Sequence, residues 1–256
     1  MKLTVLGSGT FVPNLNRQNA SYLLQDSRNN FVIDFGRGAI NRLMEAGVSI
    51  YEIDSIFITH FAHPDHTADL LSLLFSLNVP ANVKDNRKKD LYLYGPEGIK
   101  KYIKKMFGLM ESPTIKLKLV VKEVSPNETI KIDDWKITNF KVKHLNKSAL
   151  AYRFEKGNKI ISFSGDSSYC DGLKKAIKSS DLAVLESTWP KNIEPGAHMT
   201  AEDAGKISLE SNVKKLILSH ILDSYLRNYD LIKSAKKYFK GPIIIAKDLM
   251  EIEICE

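Results

Sequence analysis

Short apolar strand patterns, each followed by a helical pattern, recur in the first and last thirds of this 256-residue chain. The strand patterns cover residues 2–6, 31–35, 55–59, 160–165, 181–186 and 214–219, and the helical patterns cover residues 66–77, 171–178 and 201–209. Strands that lead into helices favour sheets whose outer faces are covered by those helices. Because such units occur in both halves, the sequence predicts an α/β fold of two β-sheets packed face to face, with the helices outside.

The stretch from residue 115 to 154 differs, because apolar and charged residues alternate there, as in Phe140-Lys141-Val142-Lys143-His144. A period of two is typical of half-exposed strands and predicts antiparallel pairing. No linker-like segment interrupts the chain, so we expect residues 1–256 to form a single domain.

Composition narrows the class of protein. Apolar residues make up 43% of the chain, which suffices for a large core, and no apolar run approaches the roughly 20 residues of a membrane span. Two cysteines, Cys170 and Cys255, cannot build a disulfide framework, so we expect a cytoplasmic protein without a membrane partner. The net charge of +7 is compatible with an anionic substrate or with nucleic acid.

A cluster of histidines lies where a predicted strand meets a helix, in the segment Thr59-His60-Phe61-Ala62-His63-Pro64-Asp65-His66. Such junctions are where α/β folds place their sites. Imidazole nitrogens and carboxylate oxygens are common ligands of zinc and similar metals. A solvated histidine-rich loop is the alternative, but the aspartate within the cluster and the apolar flanks favour a metal site.

Three further polar residues end predicted strands: His144, Asp166 and His220. Each alone has an ordinary explanation, as a surface strand residue, a helix cap and a core histidine, respectively. Together with the cluster they predict one site on the rim of a sheet.

The motifs of the whole chain, in order, are LGSGT (6–10), RQNASYL (17–23), DFG (34–36), ITH (58–60), HPDHTAD (63–69), YGP (94–96), His144, SGD (164–166), LEST (185–188), AHMTA (197–201) and LSH (218–220). In this order they resemble the metallo-β-lactamase superfamily, and within it the ribonuclease Z-like phosphodiesterase branch. The resemblance implies a four-layer αββα sandwich of two mixed β-sheets.

The resemblance also implies two divalent metal ions, with zinc favoured and manganese or iron as alternatives. His60, His63 and His144 would hold the first ion, Asp65, His66 and His220 the second, and Asp166 would bridge both. Paired metals of this kind supply a hydroxide nucleophile at neutral pH.

Catalytic and substrate-binding roles follow from the same resemblance. Asp65 would orient the nucleophile, and His198 would protonate the leaving oxygen while Glu186 aligns it. Arg17 and Asn19 would contact the substrate, although a surface turn is an equal alternative for Arg17. A homodimer is expected as well.

One departure concerns the first metal site. The family motif separates its first two histidines by one residue, whereas Phe61 and Ala62 separate His60 from His63 here. An extra residue at a strand end reverses side-chain direction unless a β-bulge absorbs it. Either a bulge returns His60 to the metal, or the first site lacks a ligand.

The resemblance favours phosphodiester hydrolysis, because Asp166 occupies the bridging position where the β-lactam-hydrolysing branch has cysteine. Two predicted strands fill the interval between His144 and Asp166, which leaves no room for the long arm that the resemblance associates with binding of transfer RNA. We therefore expect a small or cyclic phosphodiester, or a nucleic-acid end, as substrate.

Other readings stay open at this point. RNA is a further candidate partner, since Lys100, Lys101, Lys104 and Lys105 form a basic stretch, although such runs are usually solvated helix faces. The same metal core would also serve hydrolysis of a lactone, a carboxylic ester or a sulfate ester. A non-enzymatic RNA- or nucleotide-binding domain with an impaired metal site is the third alternative.

Overall fold

The computed structural model describes residues 1–78, 89–109, 118–145, 148–190, 196–226 and 228–255. The strands of this part are β1 (Lys2–Gly7), β2 (Ser21–Gln25), β3 (Asn30–Ile33), β4 (Ser55–Phe57), β5 (Leu91–Gly95), β6 (Leu119–Glu123), β7 (Thr129–Ile132), β8 (Trp135–Lys141), β9 (Leu150–Lys156), β10 (Lys159–Phe163), β11 (Leu182–Glu186), β12 (Leu216–Ser219), β13 (Ile243–Ile245) and β14 (Glu251–Glu253). The α-helices are α1 (Ala39–Glu45), α2 (Leu70–Asn78), α3 (Ile99–Gly108), α4 (Asp171–Ile177), α5 (Ala201–Glu210), α6 (Asp223–Leu226) and α7 (Leu231–Ala235).

The strands form two seven-stranded sheets, in the orders β14-β1-β2-β3-β4-β5-β6 and β13-β12-β11-β10-β9-β8-β7. Both sheets are mixed. In the first, β14 through β3 pair antiparallel and β3 through β6 pair parallel. In the second, β7 through β10 pair antiparallel and β10 through β13 pair parallel.

Aromatic side chains fill the space between the two sheets. Phe57 of the first sheet meets Phe154 of the second with ring centroids 5.1 Å apart, and Phe31 meets Trp135 at 5.6 Å. These four rings are buried in one apolar cluster. Edge-to-face packing of this kind adds to the stabilisation that burial of large rings provides.

The outward-facing residues of each sheet pack against helices. Val32 and Ile56 belong to an apolar cluster with α1, α2 and α3, and Ala183 and Leu218 belong to another with α4, α5 and α7. The layers are therefore helix, sheet, sheet, helix, which confirms the predicted αββα sandwich.

The structure corrects two local predictions. In the described part of the 115–154 stretch, β6 pairs parallel with β5 at the edge of the first sheet, and only β7, β8 and β9 continue the predicted antiparallel pattern. A period of two shows which strands are half-exposed but does not select their partners. In addition, β8 ends at Lys141, so His144 lies in the loop that follows rather than at a strand end.

The helices in the described ranges are short. The longest, α3 and α5, contain ten residues each. None of these helices is long and apolar enough to cross a membrane. The organisation of residues 1–256 as a single domain stays a prediction.

One carboxylate links the two sheets at an edge. Asp26, directly after β2, accepts hydrogen bonds from Trp135 Nε1 at 2.7 Å and Lys156 Nζ at 2.6 Å, both from the second sheet. The backbone N–H groups of Arg28 and Asn29 also donate to it. Burial by itself raises the pKa of Asp26, but Lys156, the backbone N–H of Arg28 and the Trp135 indole outweigh burial and hold the pKa well below its usual range.

We expect Asp26→Ala to lower the free energy of unfolding by about 2 kcal/mol at neutral pH, because it leaves the indole and ammonium donors without their acceptor. The folded state stabilises the ionised carboxylate of Asp26. Its contribution to the free energy of unfolding is therefore fully present above the pKa that Asp26 has in the unfolded chain, and it is lost as the pH falls toward the lower pKa of the folded state. Urea unfolding at several pH values checks both statements. Asp134→Ala, which removes an exposed carboxylate from Lys156, is the control and should change the free energy of unfolding little. If the loss of stability in Asp26→Ala stayed the same as the pH fell into the acid range, the role given to the ionised Asp26 carboxylate would be wrong.

Candidate metal centre

The histidine cluster lies in the segment that follows β4. That strand ends at Phe57, so His60 and His63 belong to a loop, and a short 3₁₀ helix, Pro64–His66, then carries Asp65 and His66. His60 is fully buried, whereas His63 is exposed. The extra residue is thus absorbed by the loop, where the side-chain alternation of a strand does not apply, and no β-bulge is needed.

The other side chains come from the second sheet. Asp166 follows β10 and His220 follows β12, and these strands run parallel in the sheet, so their carboxyl ends share one edge. Gly165, with φ +55°, brings the backbone so close to Thr59 that a Cβ there would lie 2.6 Å from the Thr59 Cβ. This close approach brings Asp166 against the segment after β4.

All seven predicted ligands come together. The ligand atoms of His60, His63 and His144 lie within 4.8 Å of one another, and so do those of Asp65, His66, Asp166 and His220.

The Asp166 carboxylate lies between the two groups. Its Oδ2 is 3.8 Å from His60 Nε2 and 4.0 Å from His144 Nε2. Its Oδ1 is 3.1 Å from His66 Nε2 and 3.4 Å from His220 Nε2. Each carboxylate oxygen therefore faces a different pair of imidazoles.

Three buried atoms at this centre lack a hydrogen-bond partner among the described residues: His60 Nε2, His144 Nε2 and Asp65 Oδ1. His66 Nε2 and Asp166 Oδ1 approach each other at 3.1 Å, without the geometry of a hydrogen bond. Unpartnered buried polar atoms are costly and uncommon. Imidazole nitrogens and carboxylate oxygens that converge without partners fit a divalent metal ion.

The second nitrogen of four histidines is held by the surrounding protein. Thr59 Oγ1 is 3.1 Å from His60 Nδ1, the Ala197 carbonyl oxygen 2.9 Å from His144 Nδ1, and Thr188 Oγ1 2.8 Å from His220 Nδ1. These contacts leave Nε2 of each ring directed at the centre, as in metal sites with an ordered outer shell.

Asp34 holds the fourth ring, and sequence reasoning assigned it no role. Its Oδ2 is 2.7 Å from His66 Nδ1, and its carboxylate also accepts hydrogen bonds from the backbone N–H and hydroxyl of Thr59. It is buried and has a positive φ of 57°. The sequence signal was the polar residue directly after β3 in the motif DFG.

Burial and charge fix the protonation of the centre. Burial and the charge of His66 lower the pKa of His60 well below its usual range, although Asp166 opposes them. Burial also lowers the pKa of His66, but the Asp166 and Asp34 carboxylates outweigh it and hold that pKa well above its usual range. For Asp166, burial raises the pKa, and His220 and His66 outweigh burial and keep it well below the usual range. Asp166 is therefore ionised, as a ligand must be.

The predicted acid and its partner are adjacent. His198 Nδ1 is 3.1 Å from both carboxylate oxygens of Glu186. Glu186 is buried at the end of β11, where the Ser167 backbone N–H and the Thr188 hydroxyl donate to it. The same His198 nitrogen is 3.9 Å from Asp166 Oδ2, so the pair borders the centre.

The Arg17 side chain is engaged by other parts of the protein. Its Nε donates to Asp223 Oδ1 at 2.5 Å, and its Nη1 donates to Ser8 Oγ and to the Ala246 carbonyl. The side chain is buried. These contacts connect the N-terminal loop to the start of α6 and to the loop after β13. Substrate binding by Arg17 stays a prediction.

Asn19 likewise connects loops: its Nδ2 donates to the Thr10 carbonyl, and its Oδ1 accepts from the Arg37 backbone N–H. Its contact with substrate stays a prediction. Cys170 precedes α4, with its Sγ 3.7 Å from Ser167 Oγ, and is not among the clustered ligand groups of the described residues.

The sequence model of the family described as "Beta-lactamase superfamily domain" matches residues 29–221. The chain belongs to the metallo-β-lactamase superfamily. This confirms the superfamily predicted from the motifs. The matched residues include all seven predicted ligands, of which His220 lies nearest the end of the match.

Whole-length similarities agree with the ribonuclease Z-like branch. The chain is 23% identical to a Ribonuclease Z of Methanosarcina acetivorans, with 99% of this chain and 98% of the relative covered. Among solved structures, the metallo-β-lactamase fold protein YhfI from Bacillus subtilis superposes with a TM-score of 0.85 at 24% identity, covering 98% of each chain. Human tRNase Z, short form, superposes with a TM-score of 0.81 at 21% identity, covering 100% of each chain.

We expect Asp34→Asn to weaken metal binding about 10- to 100-fold, because the carboxylate that orients His66 and Thr59 loses its charge. Competition with a zinc chelator measures this without reference to any reaction. Asp181→Asn, at the opposite end of β11 from Glu186, is the matched control. Equal zinc affinity of Asp34→Asn and wild type would show that Asp34 does not orient the ligands.

Proposed function

We propose that this metal-dependent phosphodiester hydrolase holds two divalent ions and acts on a small or cyclic phosphodiester or on a nucleic-acid end. The observation that carries the proposal is the Asp166 carboxylate, whose two oxygens face two separate pairs of imidazoles. The His198–Glu186 pair beside it supplies the acid that cleavage of a phosphodiester requires.

The two ligand groups correspond to two ions. His60, His63 and His144 would hold one ion, and Asp65, His66 and His220 the other, with Asp166 shared. Zinc suits a set of imidazoles and carboxylates, and manganese or iron would suit the same set when more oxygen ligands are added.

Bound metal would supply Lewis acidity and a nucleophile at neutral pH. The Asp65 carboxylate, whose Oδ1 has no hydrogen-bond partner among the described residues, would accept a proton from the attacking water and fix its direction. Asp65 Oδ2 lies 3.4 Å from His220 Nε2, and this contact restrains the carboxylate.

His198 would protonate the leaving oxygen. Because its Nδ1 faces Glu186, the proton to be delivered is the one on Nε2. The Glu186 carboxylate stabilises the protonated ring before the transfer and keeps its orientation. The Ser167 and Thr188 donors in turn hold Glu186 in place.

The chain between His144 and Asp166 supports a small substrate. There β9 and β10 form an antiparallel hairpin that belongs to the second sheet. The described part of this interval, residues 148–166, contains no long arm, which supports a compact phosphodiester over a whole transfer RNA. The similarity to ribonuclease Z supports a phosphodiester over a lactone, a carboxylic ester or a sulfate ester.

RNA is a second candidate because of the position of α3. Its lysines, Lys100, Lys101, Lys104 and Lys105, are exposed. The helix also contacts the metal-binding segment through Tyr102, so a strand whose end entered the site would pass near these charges. The homodimer and the cytoplasmic location stay predictions, to be checked by the mass in solution and by the location of a tagged copy in cells.

Protein purified without chelator or affinity-tag metal should contain close to two equivalents of metal per chain, by elemental mass spectrometry. The reason is that the loop brings His60 and His63 to the same group as His144. One equivalent or less would support the impaired-site alternative and would require a mechanism built on a single ion.

We expect His198→Ala to lower kcat about 10²- to 10⁴-fold on a phosphodiester with an alkoxide leaving group, because the leaving oxygen then departs without a proton. The loss should be smaller on a p-nitrophenyl phosphodiester, whose leaving group needs little protonation. Asp65→Ala should lose nearly all activity on both. The metal content of His198→Ala is the control, and an equal loss on both substrates would argue against an acid role for His198.

A panel of phosphodiester, lactone, carboxylic ester and sulfate ester at equal concentration decides the class of bond. The phosphodiester should give the highest kcat/KM. Preference for another ester would reassign the reaction but leave the metal centre as described. Tight, salt-sensitive binding of RNA by protein that is free of metal and inactive would favour the non-enzymatic alternative.

A further inference from the structure

Tyr102 of α3 contacts both ends of the segment that carries four of the predicted ligands. Its ring stacks on Phe61, with centroids 4.9 Å apart and planes inclined by 29°. Its hydroxyl is 2.9 Å from Thr67 Oγ1. Phe61 directly follows His60, and Thr67 directly follows His66, so one side chain spans the segment from its first ligand to its last.

The segment needs an external support because it has little regular structure of its own. His60 to His63 is loop, and the 3₁₀ helix that follows contains only three residues. Within the loop, Ala62 and His63 are exposed, whereas Phe61 is half-buried against the cluster that contains α3. Stacking of Phe61 on Tyr102 therefore fixes the loop between the buried His60 and the exposed His63.

The helix that offers this support is itself well anchored. Ile99 and Ile103 are buried beneath it, and Glu123 of β6 accepts hydrogen bonds from the backbone N–H groups of Gly98 and Lys100. Gly98 has φ +92°, and a Cβ at this position would lie 3.1 Å from Phe61 Cζ. The start of α3 thus comes close to the Phe61 ring, and Tyr102 follows one turn later.

We propose that Tyr102 is a positioning residue for the metal centre: its ring sets the position of His60 and His63 through Phe61, and its hydroxyl sets that of Asp65 and His66 through Thr67. The inference rests on the proposed metal site, and it explains how a loop with two residues between its first histidines still delivers both to one group. The ring and hydrogen-bond contacts of Tyr102 with the described segment are to Phe61 and Thr67, not to the ligand side chains, so its effect passes through these two residues.

The test measures zinc affinity by chelator competition on the full chain, without substrate. Tyr102→Leu, which removes stack and hydroxyl, should weaken zinc binding about 10-fold or more. Tyr102→Phe keeps the stack and should weaken it about fivefold, the factor for one lost hydrogen bond. Thr67→Val should match Tyr102→Phe, and the double variant should show no further loss, because both remove the same bond.

Tyr92→Leu is the matched control, since Tyr92 is a half-buried tyrosine of β5 that packs against the core between the sheets. It should leave zinc affinity unchanged while changing thermal stability. If Tyr102→Leu and Tyr102→Phe bind zinc as wild type does, the proposal is wrong, even if the protein proves to be a phosphodiesterase. If their affinity falls as expected while another ester is the substrate, the proposal stands and the reaction is reassigned. A wild type that binds no zinc would overturn both.

Discussion

The Asp166 carboxylate is buried among imidazoles, and the arrangement around it depends on keeping that charge favourable. An ionised carboxylate in the interior is costly unless opposite charges or metal surround it. Here His66 and His220 face one oxygen, and His60 and His144 face the other. Both ligand groups are arranged around this one side chain. A displacement of the loop after β10, which carries Asp166, would therefore disturb both groups at once.

Packing between the sheets maintains this relation. The segment 60–66 leaves the first sheet, whereas Asp166 leaves the second. The ring of Phe57, the last residue of β4, packs against Tyr152 and Phe154 of β9, and the Tyr152 hydroxyl donates to the Ile58 carbonyl. The interior core thus reaches to within a few residues of the ligands. A change of Phe57 or Tyr152 would therefore alter the separation of ligands that come from opposite sheets, and metal affinity would respond to these two core residues as well as to the ligands themselves.

The sequence predicted the layers and the ligand set because both leave local signals. Apolar periodicity marks strands and helices, and His60, Asp166 and His220 stand two or three positions after apolar runs. Other features have no local signal. The parallel pairing of β6 depends on β5, which is separated from it by a helix. The contacts of Arg17 are with Asp223 and Ala246, which are more than 200 positions away in the sequence and meet Arg17 only in the folded state. The role of Asp34 also depends on a ring 32 positions away, which a motif can mark but cannot explain.

Two residues of the centre have backbone conformations that suit glycine better. Asp34 has φ 57° and His220 has φ 53°. A residue with a Cβ pays on the order of 1 kcal/mol for the left-handed region. Glycine at either position would relax the backbone, but it would remove the carboxylate that orients His66 or a ligand of the second group. At these two strand ends the side chain that the centre uses is therefore kept against the preference of its own backbone.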